Sequence, residues 1–261
     1  MSVVSDGLRF VVGTLTVVPV PAPRQIDQRV ARAGMLSAPV VGVLLGAGVA
    51  GTVAAGQALG FSPGVTAVLV VGGLALVTRG LHLDGLADTA DSLAASYRRE
   101  RALEVMRRGD VGPAGTVTLV VVVLAQVFAV AACLEPGREP GRGLLAVGVA
   151  VLASRAVLPV VCVRGIPAAR AEGLGAAIAS TVPRLAAGAV VAVVLLVSAG
   201  AGWTMNDDAL RAVLAVAVGW AFAAVVVVRC VRRFGGVTGD VVGAAVEVAM
   251  TGVMLAFSMD G

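Results

Sequence analysis

Long apolar runs separated by short polar segments dominate this chain of 261 residues. A helix needs about 20 apolar residues to cross a bilayer, and seven runs come near or exceed that length. The predicted spans are 34–59, 64–81, 114–134, 144–163, 185–203, 210–231 and 241–257. Because the runs are too long and continuous for barrel strands, they predict an all-α, polytopic membrane bundle of six to seven transmembrane helices.

The two ends of the chain differ from this pattern. The last run, 241–257, is short and contains Glu247, so it is expected to be re-entrant or buried inside the bundle. The first apolar run starts at Phe10 and is cut short by three prolines at 19, 21 and 23, so it is expected at the membrane interface. No long polar segment remains for a second domain, and 1–261 is predicted to be one integral-membrane domain.

Composition strengthens the membrane assignment. Hydrophobic residues make up 58% of the chain and charged residues 14%, whereas soluble domains have about 45–50% and about 25%. Aromatic residues are only 3%, which argues against nucleic acid as a partner. The three cysteines lack metal-site spacing and are predicted to be small core residues. The sequence leaves the oligomeric state open.

The basic residues, all arginines, are distributed unequally between the two sides of the predicted bundle. One side keeps only Arg138, Arg142 and Arg211 of the 20 basic residues. The positive-inside rule therefore places the N-terminus and the even-numbered connections in the cytoplasm of a cell-membrane protein. The segment that follows the second span, LHLDGLADTAD at 81–91, then faces the cytoplasm.

That segment concentrates acidic residues beside an apolar span. Asp84, Asp88 and Asp91 have the spacing i, i+4, i+7, which places them within about 60° of one another on a helix. They are either a solvated helix terminus or a site for a hard divalent cation such as Mg²⁺, which binds carboxylate oxygens and substrate phosphates. The glycine and small residues between them favour the metal site, because another helix or a ligand can approach closely.

Other polar residues extend the candidate site. His82 is either a packed histidine or a neighbour of the metal or substrate. Asp240 and Glu247 share a helix face after the glycine-rich turn GGVTG, a pattern that also suits simple loop punctuation. Arg155, within an apolar run, and Arg170, before EGLG, are candidate phosphate ligands; the alternative for Arg155 is an arginine that reaches the interface. Acids that hold Mg²⁺ and arginines that hold phosphates indicate phosphoryl-transfer chemistry.

Five segments together resemble one enzyme family. They are LHLDGLADTAD, RERALEVMRRGDVGPAG, SRAVLPVV, ARAEGLG and GGVTGDVVGAAVE, in this order. Their sequences and spacing resemble cobalamin synthase, the adenosylcobinamide-GDP ribazoletransferase family. The resemblance extends from about Leu8 to about Glu247.

The resemblance implies a Mg²⁺-dependent membrane enzyme of late cobalamin biosynthesis. Such an enzyme joins adenosylcobinamide-GDP to α-ribazole or its 5′-phosphate, releases GMP and forms adenosylcobalamin or its phosphate. It also implies that the three aspartates bind the metal, that Asp84, Asp88 or His82 takes part in catalysis, and that the site includes four further residues: Arg155, Arg170, Asp240 and Glu247.

Two other functions compete with this one. A CDP-alcohol phosphotransferase-like enzyme would also use aspartates with Mg²⁺, but the arginine and glycine arrangement before its last acids is missing here. A cation-coupled transporter would use membrane acids to bind the ion, but the chain has no evident internal repeat.

Overall fold

The computed structural model describes residues 2–137, 141–204 and 209–259, and those residues form an all-helical bundle. The eleven helices of the described residues are α1 Val3–Leu15, α2 Gln28–Ala58, α3 Pro63–Val77, α4 Leu81–Ala95, α5 Arg99–Arg108, α6 Pro113–Cys133, α7 Arg142–Val161, α8 Leu174–Ile178, α9 Arg184–Thr204, α10 Ala209–Phe234 and α11 Gly239–Ser258. Arg138, which was assigned to the less basic side of the predicted bundle, lies outside the described residues.

Six of these helices are long and apolar enough to cross a membrane, which confirms the predicted polytopic fold. They are α2, α6, α7, α9, α10 and α11. The helix α1, with 13 residues, is too short to span and packs against α2. The last predicted span is a helix of 20 residues, α11, which together with α7 is the most deeply buried of the six.

The second predicted span, 64–81, is not one straight helix. The helix α3 ends at Val77, and the chain turns by 87° into α4. Arg79 and Gly80 both have positive φ angles, +57° and +66°, which no α-helix accommodates. Arg79 Nη2 donates to the carbonyl oxygen of Gly13 at 2.7 Å, and the amide of Val17 donates to Val77 at 2.8 Å. The end of α1 thus holds the break in place and fixes where α4 begins.

The connection between α7 and α9 is hydrogen-bonded to the turn before α11. The amide of Ala169 donates to the carbonyl oxygen of Val237, and the amide of Val237 donates to that of Pro167, both at 2.9 Å. A Cβ at Gly236 would lie 2.4 Å from the Pro167 oxygen, so only glycine permits this approach. These contacts hold Arg170 above the start of α11.

The C-terminal end of α11 contacts Arg142 and Arg211, two of the three arginines on the less basic side of the predicted bundle. Arg142 donates to the carbonyl oxygens of Phe257 and Met259, and Arg211 donates to the same two oxygens. Carbonyls at a helix C-terminus have no partner within the helix, and a cation there is favourable. Arg142 and Arg211 therefore lie at the same end of the bundle, as the predicted topology requires.

Candidate active site

A cavity of about 260 Å³ opens between α1, α2, α4, α7, α8 and α11. Its polar lining comes mainly from α4, from the connection that precedes α8 and from the start of α11. The ionisable and hydroxyl-bearing residues that line it are Thr14, His82, Asp84, Arg170, Glu172, Thr238 and Asp240. Four of the residues predicted from the sequence, His82, Asp84, Arg170 and Asp240, therefore meet around one cavity.

Close packing of two helices brings the first two aspartates to Asp240. Gly85 lies against the backbone of α11, where an added Cβ would be 2.7 Å from the carbonyl oxygen of Asp240. Asp84 lines the cavity. Asp88, one helical turn further, is buried and does not line it, but lies within electrostatic range of both Asp84 and Asp240. The glycine at position 85 is the residue that allows this part of α4 to approach the start of α11.

Asp91 has a different environment from the other two aspartates. One of its carboxylate oxygens accepts a hydrogen bond from the amide of Gly112 at 2.6 Å, and the other accepts one from Gly115 at 2.9 Å. These amides belong to the first turn of α6, whose N–H groups have no partner within the helix. Asp91 therefore caps α6, and the structure does not bring its oxygens to the cavity.

Arg170 is held between two elements at the cavity. Its Nη2 donates to the carbonyl oxygen of Leu103 in α5 at 3.0 Å, and its Nη1 lies 3.9 Å from Oδ2 of Asp240. Burial lowers the pKa of the Arg170 guanidinium, while the carboxylate of Asp240 raises it. An arginine stays protonated in proteins at neutral pH, so a fixed positive charge faces the carboxylates across the cavity.

His82 is almost completely buried and lines the cavity one turn before Gly85. Gly243 of α11 packs on it, since a Cβ there would lie 3.3 Å from the His82 Cα. Within the part of the chain that the structure describes, neither ring nitrogen has a hydrogen-bond partner. A buried polar group without a partner is costly, so the imidazole is a candidate for contact with a bound ligand.

Arg155 and Glu247 lie deeper in the bundle and do not line the cavity. Arg155 Nη1 donates to Ser154 Oγ at 2.8 Å and lies 3.5 Å from the sulfur of Met250. Glu247 Oε2 accepts from Gln126 Nε2 at 2.9 Å. Arg155, a predicted phosphate ligand, and Glu247, a further predicted residue of the site, are therefore buried in side-chain networks that join α6, α7 and α11.

Several residues of the site were not singled out from the sequence. Gln126 donates to Glu247 and, at 3.0 Å, to Thr251. Gln126 is a polar side chain inside the apolar run 114–134, and this position could have indicated it, because polar side chains within spans need hydrogen-bond partners. Glu172 and Thr238 line the cavity. They stand within segments that the sequence analysis had quoted, but no spacing rule marked them.

The residues fit a magnesium site of the kind that uses few protein ligands. Among the described residues, no group of three or more His, Cys, Asp or Glu side chains converges on one point. Mg²⁺ usually keeps several waters and binds one or two carboxylates together with substrate phosphates. Asp84 and Asp88, one turn apart on the same helix, provide such a pair. Three aspartate ligands stay a prediction from the sequence.

The family model and the relatives that match this chain indicate the same enzyme family. The family model described as "Cobalamin-5-phosphate synthase" matches residues 7–258. A protein of Nocardioides sp. named adenosylcobinamide-GDP ribazoletransferase is 45% identical over 253 residues, which are 97% of this chain and 98% of the relative. Proteins of the same name from Frankia casuarinae and Pseudomonas paraeruginosa are 39% and 37% identical, over 94% and 92% of this chain and about nine-tenths of each relative.

No solved structure matches the chain. The family match covers most of α1 and the whole of every other helix that contributes to the cavity. Its span also includes all the residues that the sequence analysis assigned to the site. The chain therefore belongs to the cobalamin-5-phosphate synthase family.

Proposed function

We propose that this chain is an adenosylcobinamide-GDP ribazoletransferase. It transfers the adenosylcobinamide phosphate group from adenosylcobinamide-GDP to α-ribazole or α-ribazole 5′-phosphate. The products are GMP and adenosylcobalamin or its 5′-phosphate. The observation that carries the proposal is the cavity where Asp84, Arg170 and Asp240 meet, in a chain related over nearly its whole length to proteins of this name.

The chemistry is a displacement at phosphorus. A ribose hydroxyl oxygen of the acceptor forms a bond to the phosphorus attached to cobinamide, and the bond from that phosphorus to the oxygen of the departing GMP breaks. The hydroxyl proton passes to a base of the protein. His82, Asp84 and Asp88 are the groups proposed for this role, because a base must lie within hydrogen-bond reach of the reacting hydroxyl.

The diphosphate of the donor is bound by charge. Bound Mg²⁺ would neutralise the developing negative charge on the leaving group, and we propose Asp84 and Asp88 as its protein ligands. Arg170 holds a phosphate oxygen from the other side of the cavity, with Asp240 and Leu103 orienting the guanidinium. Arg155 and Glu247 support this arrangement through the buried contacts of α7 and α11.

The orientation of the site is part of the proposal. The cavity lies at the end of the bundle where α5 carries its arginines, so it faces the cytoplasm of a cell-membrane protein by the positive-inside rule. Tyr97, beside α5, and Leu59, at the far end of α2, are both exposed. In right-side-out vesicles, a membrane-impermeant maleimide should label Leu59→Cys and not Tyr97→Cys. The reverse pattern would refute the orientation.

The activity is tested with the purified full chain in detergent or liposomes. With Mg²⁺, GMP should appear from adenosylcobinamide-GDP only when α-ribazole or its 5′-phosphate is present, and chelation of the metal should stop the release. Turnover of CDP-diacylglycerol with an alcohol, and none of the cobinamide substrate, would replace this proposal with a phospholipid-type transferase. Ion-driven substrate flux without GMP release would replace it with a transporter.

A further inference from the structure

The cavity has two chemically different walls. One wall carries charged side chains from α4, the start of α11 and the connection before α8, among them Asp84, Arg170 and Asp240. The other wall is built by α1, α2, α7 and α8, and α2 packs against each of the other three helices. Its side chains are apolar: Val11, Leu15, Met35, Leu158, Ala176 and Ile178.

The apolar wall is a fixed surface. Five of its six side chains are at most 5% exposed, and only Ala176 is more accessible. Because these side chains belong to four different helices that are packed together, none can turn away without disturbing the core. A ligand group that contacts this wall must therefore be apolar and must match its shape.

Size excludes the largest part of the reaction's substrates. The volume of about 260 Å³ lies just below the range of about 300–1,000 Å³ that is usual for small-molecule sites. A corrin macrocycle that carries an adenosyl group is several times larger than a nucleoside, so it must stay outside. A single nucleoside is the largest unit that this cavity can enclose.

The bases of the two nucleosides in the reaction, guanosine and α-ribazole, differ in the polarity of their outer edges. The edge of guanine carries N–H donors and a carbonyl acceptor, and burying them against aliphatic side chains leaves them without partners. The base of α-ribazole is a dimethylbenzimidazole, whose outer edge consists of C–H groups and two methyl groups. Burial of each methyl against an apolar wall is favourable by about 0.8 kcal/mol, which is about fourfold in affinity.

We propose that the cavity is the binding site for the acceptor nucleoside, with its methylated base on the apolar wall. The ribose then lies towards the polar wall, where its hydroxyl reaches Asp84 and His82. The guanosine of the donor stays at the exposed rim, on the side of Glu172. This inference rests on the proposed function and assigns its two nucleosides to different places.

The test changes the free space at the apolar wall with a protein variant and the size of the base with an acceptor analogue. In the wild-type protein, an acceptor nucleoside with unmethylated benzimidazole should have a KM about 15-fold higher than α-ribazole, at about fourfold for each lost methyl. Ala176→Val fills part of the space with two methyl groups of the protein. It should raise the KM for α-ribazole and bring the ratio between the two acceptors close to one, while the KM for adenosylcobinamide-GDP stays unchanged.

The neighbouring residue gives the matched control. Ala177 belongs to the same short helix and does not line the cavity, so Ala177→Val should keep the wild-type ratio. If Ala176→Val instead leaves the acceptor ratio unchanged and raises the KM for the donor, the cavity holds the guanosine and the inference is wrong.

A binding measurement separates this inference from the proposed function. With no donor present, α-ribazole should raise the unfolding temperature of the wild-type protein at lower concentrations than the unmethylated nucleoside does, and Ala176→Val should remove that difference. A wild-type protein that releases no GMP but shows this preference would overturn the activity and keep the subsite. Equal stabilisation by both nucleosides in wild type and variant would overturn the subsite, whatever the activity.

Discussion

Replacement of Gly85 by alanine tests whether close contact between α4 and α11 builds the active site. The added Cβ would lie 2.7 Å from the carbonyl oxygen of Asp240 and 2.9 Å from its Cα. Ordinary contacts of a Cβ begin near 3.4 Å. The two helices must therefore move apart by roughly 0.7 Å, since both contacting atoms belong to rigid helical backbone.

The effect on activity should exceed the effect on stability. Alanine favours the helix by about 1 kcal/mol over glycine, which offsets part of an overpacking cost of about 1–3 kcal/mol, so the net loss of stability is about 0–2 kcal/mol. A displacement near 1 Å in an active site costs about 100-fold in rate. Because the shift separates Asp84 and Asp88 from Asp240, kcat for GMP release should fall about 10- to 100-fold.

The assay is GMP release at saturating substrates, together with thermal unfolding in the same detergent. Gly72→Ala is the matched control, because Gly72 is also within a helix but has no atom within 4 Å of the position that a Cβ would occupy. It should keep wild-type kcat and gain slightly in stability. Wild-type kcat in Gly85→Ala would refute the argument that this contact positions the carboxylates.

Four further variants separate chemistry from support. Asp84→Asn should abolish GMP release without lowering the free energy of unfolding. Asp91→Asn keeps only one of the two acceptor oxygens, so it should lower the free energy of unfolding by an amount typical of a lost helix cap, about 0.5–2 kcal/mol, and keep measurable turnover. Arg170→Lys should raise the KM for the donor about tenfold, because lysine has no planar fork for phosphate. Gln126→Leu leaves Glu247 without its side-chain donor and should lower stability by about 1–3 kcal/mol at unchanged KM. Turnover, KM and calorimetry measure these effects. If Asp84→Asn and Asp91→Asn behaved alike in activity and stability, the assignment of Asp84 to catalysis and of Asp91 to helix capping would be wrong.

Hydropathy was sufficient to locate most of the bundle. The runs 114–134, 144–163, 185–203 and 210–231 correspond to α6, α7, α9 and α10 within about three residues, because spanning length and apolar composition are local properties of the chain. The break at 78–80 was not predicted. Gly80 was its only local signal, and the contacts that hold it come from Gly13 and Val17, more than 60 residues away.

The geometry of the candidate site could be predicted from the sequence in part, and the rest could not for one physical reason. Spacing along a helix correctly placed Asp84 and Asp88 near one another, but it could not show that Asp91 faces the first turn of α6. In the same way, Arg155 and Arg170 were equivalent in the sequence, and only Arg170 lines the cavity. Which residue lies opposite a side chain depends on long-range packing, and a single sequence does not contain that information directly.

The broken second span explains how a hydrophobic protein can carry a cluster of carboxylates. A continuous helix through 64–81 and onward would leave the aspartates on a spanning segment, where each carboxylate at the bilayer centre costs about 2.5–3.5 kcal/mol or more. The 87° turn directs α4 across the end of the bundle instead, where Gly85 meets the first turn of α11 and Asp91 meets the first turn of α6. Both helix N-termini carry partial positive charge, which favours nearby anions. A single break in the helix thus lowers the cost of the acidic residues and places them at the end of the bundle, where the diphosphate and metal of the proposed function would enter from water.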